Sequence, residues 1–192
     1  EEFVPTDMPI LSSDRVRYVG EPLALVVADD AYTVEDGLEA ARVAYETVTA
    51  ITSADQALSA GVPLVHDEAV NNTVVDVQMF ATEGIDEIFD AAHTVVTVQS
   101  RTGRQNALPL ETRGCIAHWD DRDEQLIIYI CTQIPHQVRT VTAHCLGLQE
   151  QQVRVIVPDM GGGFGQKCVV GREEIAVAAA ALKLRRPVKW IE

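Results

Sequence analysis

The sequence predicts an α/β fold, of the α+β kind with mixed sheets. Two observations carry that prediction. Apolar runs of strand length alternate with stretches of helical periodicity along the 192 residues. A glycine-rich stretch, Gly161-Gly162-Gly163-Phe164-Gly165, stands between a strand pattern and a long helical one. The composition, 47% hydrophobic and 23% charged, is that of a globular protein. No apolar run approaches the roughly 20 residues that a membrane-spanning helix needs.

Val16–Val19 and Pro22–Ala28 read as two strands broken by Gly20-Glu21-Pro22. The second is apolar throughout, as in a strand covered on both faces. After Asp29-Asp30, Thr33 is placed to cap a helix running to Tyr45 that buries Val34, Leu38, Ala41 and Ala44. A strand is expected over Glu46–Ile51, and a capped short helix over Ser53–Leu58. Residues 59–90 are irregular, with turn signals at Gly61-Val62-Pro63 and Asn71-Asn72.

Beyond them, Ala92–Arg101 alternates as a strand. Leu110–Trp119 and Gln125–Thr132 form a hairpin about Asp120-Asp121-Arg122-Asp123. His136–Leu146 is helical with Gly147 as its C-terminal cap. Gln152–Val157 is a strand, Arg172–Leu184 an alanine-rich helix stopped by Pro187, and Val188–Ile191 a final strand. The expected organisation is a partial domain over 1–58, a connector over 59–90 and a second domain beginning at 91 and running to 192.

The net charge of −14 repels phosphate backbones, which argues against nucleic acid as a partner. The four cysteines, Cys115, Cys131, Cys145 and Cys168, include no CxxC pair, so a local zinc or iron–sulfur site is not indicated. Cys115, Cys131 and Cys145 read as small buried side chains. The opening residues, Glu1-Glu2-Phe3-Val4-Pro5, resemble mid-protein sequence and carry no basic or apolar targeting segment. A partial sequence of a cytoplasmic protein is the expectation.

Glycines between a strand and a helix let main-chain amides approach an anionic or oxygen-rich ligand. Two familiar loops do not fit. A P-loop requires Lys-Ser/Thr after its second glycine, but Gly165 is followed by Gln166 and Lys167 by Cys168. The dinucleotide fingerprint lacks its third glycine, since Gln166 stands there. A nucleotide-binding α/β domain is therefore disfavoured. Taken alone, the loop is either a ligand loop or a tight structural turn.

The loop has company. Met160-Gly161-Gly162-Gly163-Phe164-Gly165-Gln166-Lys167 resembles the Gly-Gly-Phe-Gly segment of molybdenum hydroxylase large subunits, the group that includes xanthine dehydrogenase and aerobic carbon monoxide dehydrogenase. Thr132-Gln133-Ile134-Pro135-His136 is similar to that family's Gln-Ala-Pro-His segment, and Gln133 precedes Phe164 at the family's usual interval. Leu110-Glu111-Thr112, Arg186-Pro187-Val188 and Val19-Gly20-Glu21-Pro22 match further segments in the family's order. The last of these belongs to its small α/β hammerhead domain.

The resemblance implies a partial hammerhead domain over 1–58 and the N-terminal part of a molybdopterin-binding domain over 91–192. It implies molybdenum on molybdopterin, in the cytosine dinucleotide form, held by Gln133, Gly162, Gly163, Phe164 and Gly165. Gln133 and Phe164 would lie beside an oxygen ligand of the molybdenum without ligating the metal; a neutral amide donor suits such an oxygen without adding charge. The implied reaction is oxidative hydroxylation of an aldehyde, an N-heterocycle or a similar small substrate, with oxygen from water. Electrons would pass to a 2Fe-2S small subunit and an FAD-binding medium subunit in a hetero-oligomer. The family's general base is a glutamate downstream of residue 192. Glu173 and Glu174 do not take its place, because acids in a first helical turn suit the helix dipole.

Purine-oxidising members carry a glutamate after the loop lysine; here Cys168 stands there, as a packing side chain or a substrate-side contact. The competing reading is a non-catalytic scaffold that binds sister subunits and no cofactor.

Overall fold

The computed structural model describes residues 2–192. In chain order its elements are β1 (Glu2–Phe3), α1 (Ala31–Ala40), α2 (Ala54–Ala57), β2 (Val75–Asp76), α3 (Ile85–Asp90), β3 (Gly114–Asp120), β4 (Gln125–Ile130), α4 (Pro135–Leu146), β5 (Val153–Ile156), α5 (Arg172–Leu184) and β6 (Val188–Ile191). They divide into two compact units that interleave along the chain. One joins the residues through Met8 to Tyr45–Arg104; the other joins Pro9–Ala44 to Gln105–Glu192.

The first unit is small and loop-rich. β1 pairs antiparallel with β2, Phe3 opposite Val75. Asn71 and Asn72 both adopt positive φ, 58° and 57°, as a turn signal of this kind requires. The Asn72 carboxamide then ties the turn together. It accepts from the Val65 N–H at 2.8 Å and donates to the carbonyls of Ala57 and Pro63, each at 3.1 Å. Ser53 caps α2 as expected, its hydroxyl accepting from the Gln56 N–H.

The second unit carries a four-stranded mixed sheet in the order β5-β4-β3-β6. β3 and β4 form the antiparallel hairpin, β6 lies antiparallel to β3, and β5 runs parallel to β4. The parallel step exists because α4 carries the chain back between β4 and β5. One face of the sheet presents Cys115, Ala117, Leu126, Ile128 and Ile130 to α4 and α5, and all are buried. α5 answers with Val177, Ala178 and Ala181. Alanine at these positions lets the helix axis approach the strands closely. The other face leaves Ile116 and Tyr129 exposed, with the rings of His118 and Tyr129 stacked at 6.4 Å.

α4, α5 and β6 form where expected, and Gly147 closes α4 at φ 66°. The hairpin forms too, but its first strand begins at Gly114 rather than Leu110 and its second ends at Ile130 rather than Thr132. Elsewhere the expectations need correction. Val16–Val19, Pro22–Ala28, Glu46–Ile51 and Ala92–Arg101 have strand-like patterning but form no strand among the described residues. Patterning supplies a face, whereas a strand also needs a neighbour to take its N–H and C=O groups. α1 starts three residues earlier than expected, because Asp30 rather than Thr33 is the cap. Its carboxylate takes the Thr33 N–H at 2.9 Å and the Thr33 hydroxyl at 3.0 Å. The helix ends at Ala40, and Leu38, Ala41 and Ala44 are exposed. It approaches the apolar run closely at Gly37, where a Cβ would stand 2.7 Å from Val26 Cγ1.

Of the cysteines expected to be buried, Cys115 is buried, Cys131 half-buried and Cys145 exposed. Burial pushes the Cys115 thiol up to about 12. No helix is long and apolar enough to cross a membrane among the described residues.

Candidate functional site

The site is a product of the parallel pair β4–β5. Both strands run the same way, with Tyr129 opposite Ile156, so the segments that follow them leave the sheet at the same end. In α/β sheets that carboxyl end is where ligands sit. Gln133 follows β4 and the glycine loop follows β5.

The two segments are joined through one carbonyl. Lys167 C=O accepts the Gln133 N–H at 2.9 Å and the Thr132 hydroxyl at 3.2 Å. Thr132 Oγ1 in turn accepts the Ile134 N–H at the start of α4. The Gln133 side chain then lies along the loop. Its Oε1 accepts the Gly165 N–H at 3.1 Å. Because a backbone N–H can only donate, the oxygen must face Gly165, and the Nε2 donors point away from it. Gly163 is the residue that admits this packing: a Cβ there would stand 2.5 Å from Gln133 Oε1 and 2.6 Å from its Cδ.

The loop backbone is bent by positive φ at Gly162 (101°), Phe164 (50°) and Gly165 (86°). A left-handed phenylalanine costs on the order of 1–2 kcal/mol. Its ring folds against Gly162, where a Cβ would meet Phe164 Cε2 at 2.8 Å, and is 76% exposed. Two turns, Gln166 N–H to Gly163 C=O and Cys168 N–H to Gly165 C=O, close the bend. Among the described residues, the N–H groups of Gly162, Gly163 and Phe164 form no hydrogen bond within the chain. Successive amides of alternating hand make a concavity for anionic or oxygen ligands.

Every residue proposed from sequence for this site, Gln133, Gly162, Gly163, Phe164 and Gly165, falls in this one cluster. Cys168 lies just past it with an exposed side chain. Glu173 and Glu174 serve the architecture: Glu173 pairs with Arg113 at 3.3 Å, and Glu174, buried, accepts the Gly171 N–H at 2.8 Å. Burial holds the Glu174 carboxyl above the usual range.

Two residues of the cluster have no role assigned from sequence. Lys167 is 2% exposed, and its Nζ meets Glu111 Oε2 at 2.7 Å. The hydrogen bonds from Lys167 and from the Gly161 N–H hold the Glu111 carboxyl below its usual range. The signal that could have found them is a lysine inside a glycine loop that lacks the P-loop's hydroxyl residue. Such a lysine needs an acid, and Leu110-Glu111-Thr112 holds one.

The donors converging here are amides. Among the described residues no three His, Cys, Asp or Glu side chains gather to hold a metal ion. A ligand that fits is one presenting oxygens to neutral N–H donors. The sequence profile of the molybdopterin cofactor-binding domain matches residues 65–192. The chain belongs to that family, and so to the molybdenum hydroxylases. This molybdopterin-binding chain is 38% identical to the nicotine 6-hydroxylase large subunit of Paenarthrobacter nicotinovorans, over 96% of its own length and 22% of that protein's. It is 31% identical to the carbon monoxide dehydrogenase large chain of Hydrogenophaga pseudoflava, over 95% of its length and 24% of the relative's. Among solved structures, quinoline 2-oxidoreductase from Pseudomonas putida 86 superposes over 100% of this chain and 24% of its own, with a TM-score of 0.92 and 38% identity. The molybdopterin-binding chain thus spans about a quarter of the relatives it matches.

Proposed function

We propose that this chain is the cofactor-holding part of a molybdenum hydroxylase large subunit, with Gln133 and the glycine loop as its contact to the molybdenum centre. The observation that carries the reading is the fixed polarity of Gln133. Its oxygen accepts from Gly165, which orients the carboxamide so that the Nε2 hydrogens point away from that amide as donors. When bound, molybdopterin with its molybdenum supplies oxidative hydroxylation in which water provides the oxygen.

The chain's own residues bind and orient. Gln133 Nε2 and the N–H groups of Gly163 and Phe164 give neutral donors to the oxygen side of the centre. Neutral donors stabilise oxygen-borne charge without a counter-ion to desolvate. Gly162 keeps the Phe164 ring against the loop. Cys168 stands on the substrate side of the loop's exit. The proton-abstracting base belongs to a part of the enzyme beyond residue 192.

An N-heterocycle is the favoured substrate class over an aldehyde. Two relatives at 38% identity are named for nicotine and quinoline, both of that class. The rest of the reading follows the family: a cytosine dinucleotide form of the cofactor, an FAD-binding medium subunit and a 2Fe-2S small subunit, assembled in the cytoplasm. In the same reading residues 1–58 form a partial hammerhead domain, 59–90 a connector and 91–192 the first part of the cofactor-binding domain.

The test is made on the complete enzyme. Elemental analysis is expected to find molybdenum in the purified protein. Gln133→Ala is expected to lower turnover by roughly 10- to 100-fold, the usual cost of removing a residue that orients a metal centre. Undiminished turnover of that variant would remove Gln133 from the site, and absence of molybdenum would favour a scaffold.

A further inference from the structure

The glycine loop is closed by one oxygen atom. Glu111 Oε2 accepts the Gly161 N–H at 2.8 Å and the Lys167 ammonium at 2.7 Å. Gly161 opens the loop and Lys167 ends it, so a single carboxylate oxygen from the segment before β3 holds both ends. The fit is close: a Cβ on Gly161 would stand 2.6 Å from Glu111 Cβ. Lys167 is buried, and a buried ammonium requires a charged partner. Among the described residues Glu111 is the only acid within ion-pair distance. The same lysine presents the carbonyl that takes the Gln133 N–H and the Thr132 hydroxyl.

The geometry points to Glu111 as a positioning residue for the molybdenum site, acting through Lys167. This inference rests on the proposed function above. The carboxylate fixes Lys167, the Lys167 carbonyl fixes the Gln133 backbone, and the loop closed by the same carboxylate presents Gly163 and Phe164. Both sets of donors therefore take their mutual spacing from Glu111. The charge is essential to this role. Glutamine would match the shape of Glu111 and could still accept from Gly161, yet it would leave Lys167 buried without a counter-ion.

The experiment measures molybdenum per protein in the complete enzyme, with thermal melting to report folding. Glu111→Gln is expected to lower molybdenum content roughly tenfold or more, as loss of an orienting partner does. Glu111→Asp, which keeps the charge on a shorter arm, is expected to recover most of it. Should Glu111→Gln fail to fold, the double variant Glu111→Gln with Lys167→Met removes both charges. It is expected to fold with its loop untethered and to stay depleted of molybdenum.

Wild-type molybdenum content in Glu111→Gln, or in the folded double variant, overturns the proposal. So does a Glu111→Asp protein as depleted as Glu111→Gln. A wild-type enzyme that itself lacks molybdenum refutes the cofactor reading instead, which keeps the two failures apart.

Discussion

Glu21 and Arg172 meet at 3.2 Å although 151 positions separate them; the Glu21 side chain is buried and that of Arg172 is 12% exposed. Gly20 makes the approach possible by turning at φ 92° just before the acid. The Arg17 N–H donates to the other carboxylate oxygen at 2.6 Å, and the Tyr18 ring lies under the Arg172 guanidinium at 5.6 Å. Arg172 is the first residue of α5, the helix that leaves the glycine loop. The Gly-Glu-Pro segment thus anchors the helix behind the site.

That anchor makes stability acid-sensitive. Burial raises the Glu21 carboxyl, but Arg17, Ser12 and Arg172 together outweigh it and hold the group below its ordinary value of 4.5. A depressed carboxyl contributes stability above its unfolded pKa and loses it as pH falls through the folded one. Glu21→Gln is expected to cost about 3 kcal/mol near neutral pH, since it strands a largely buried arginine. Its melting temperature should converge on that of the wild type as pH is lowered well past 4.5. A constant gap across that range would count against the pair.

Gly163→Ala separates function from folding. The backbone at Gly163 has no positive φ, so alanine meets no left-handed penalty there. The whole cost is the collision with the Gln133 carboxamide. Turnover of the complete enzyme is expected to fall about tenfold or more, with a melting change of under about 1 kcal/mol. A large loss of stability with normal turnover would contradict the packing described.

Gly147→Ala gives the opposite pattern. The residue caps α4 at φ 66°, and a Cβ placed there would meet nothing within 4 Å. The penalty is therefore conformational alone, about 1 kcal/mol. Denaturant titration should show that loss while molybdenum content stays at the wild-type level.

Cysteine labelling reports the sheet's covered face. Burial keeps Cys115 a thiol far into the alkaline range, with its pKa at about 12, whereas Cys145 and Cys168 are exposed. Brief alkylation near pH 8 is expected to modify Cys145 and Cys168 and to spare Cys115 until the protein unfolds. Mass spectrometry of the labelled peptides decides it.

The parts of this fold legible in sequence are those with local causes. α5 and β6 lie where the alanine-rich periodicity and Pro187 place them, and Gly147 marks the end of α4. The meeting of Gln133 with the glycine loop could be anticipated because both segments are short and contiguous. The struts beneath them could not. Glu111 with Lys167 and Glu21 with Arg172 join distant parts of the chain, and a long-range ion pair leaves no periodic trace. Ala92–Arg101 shows the converse error: alternation is a statement about faces, and Val95, Val96 and Val98 stand exposed without a ladder neighbour among the described residues.

The side-chain clasp on the glycine loop ends at Lys167, and Cys168 adds to the closure only its main-chain N–H, bonded to Gly165 C=O. The thiol hangs outside the clasp, and its side chain bears none of the load that shapes the loop. Under the proposed function, exchanging the sulfur for an acid, an amide or a methyl group would change what the exit of the loop offers a substrate and leave the Glu111–Lys167 clasp in place.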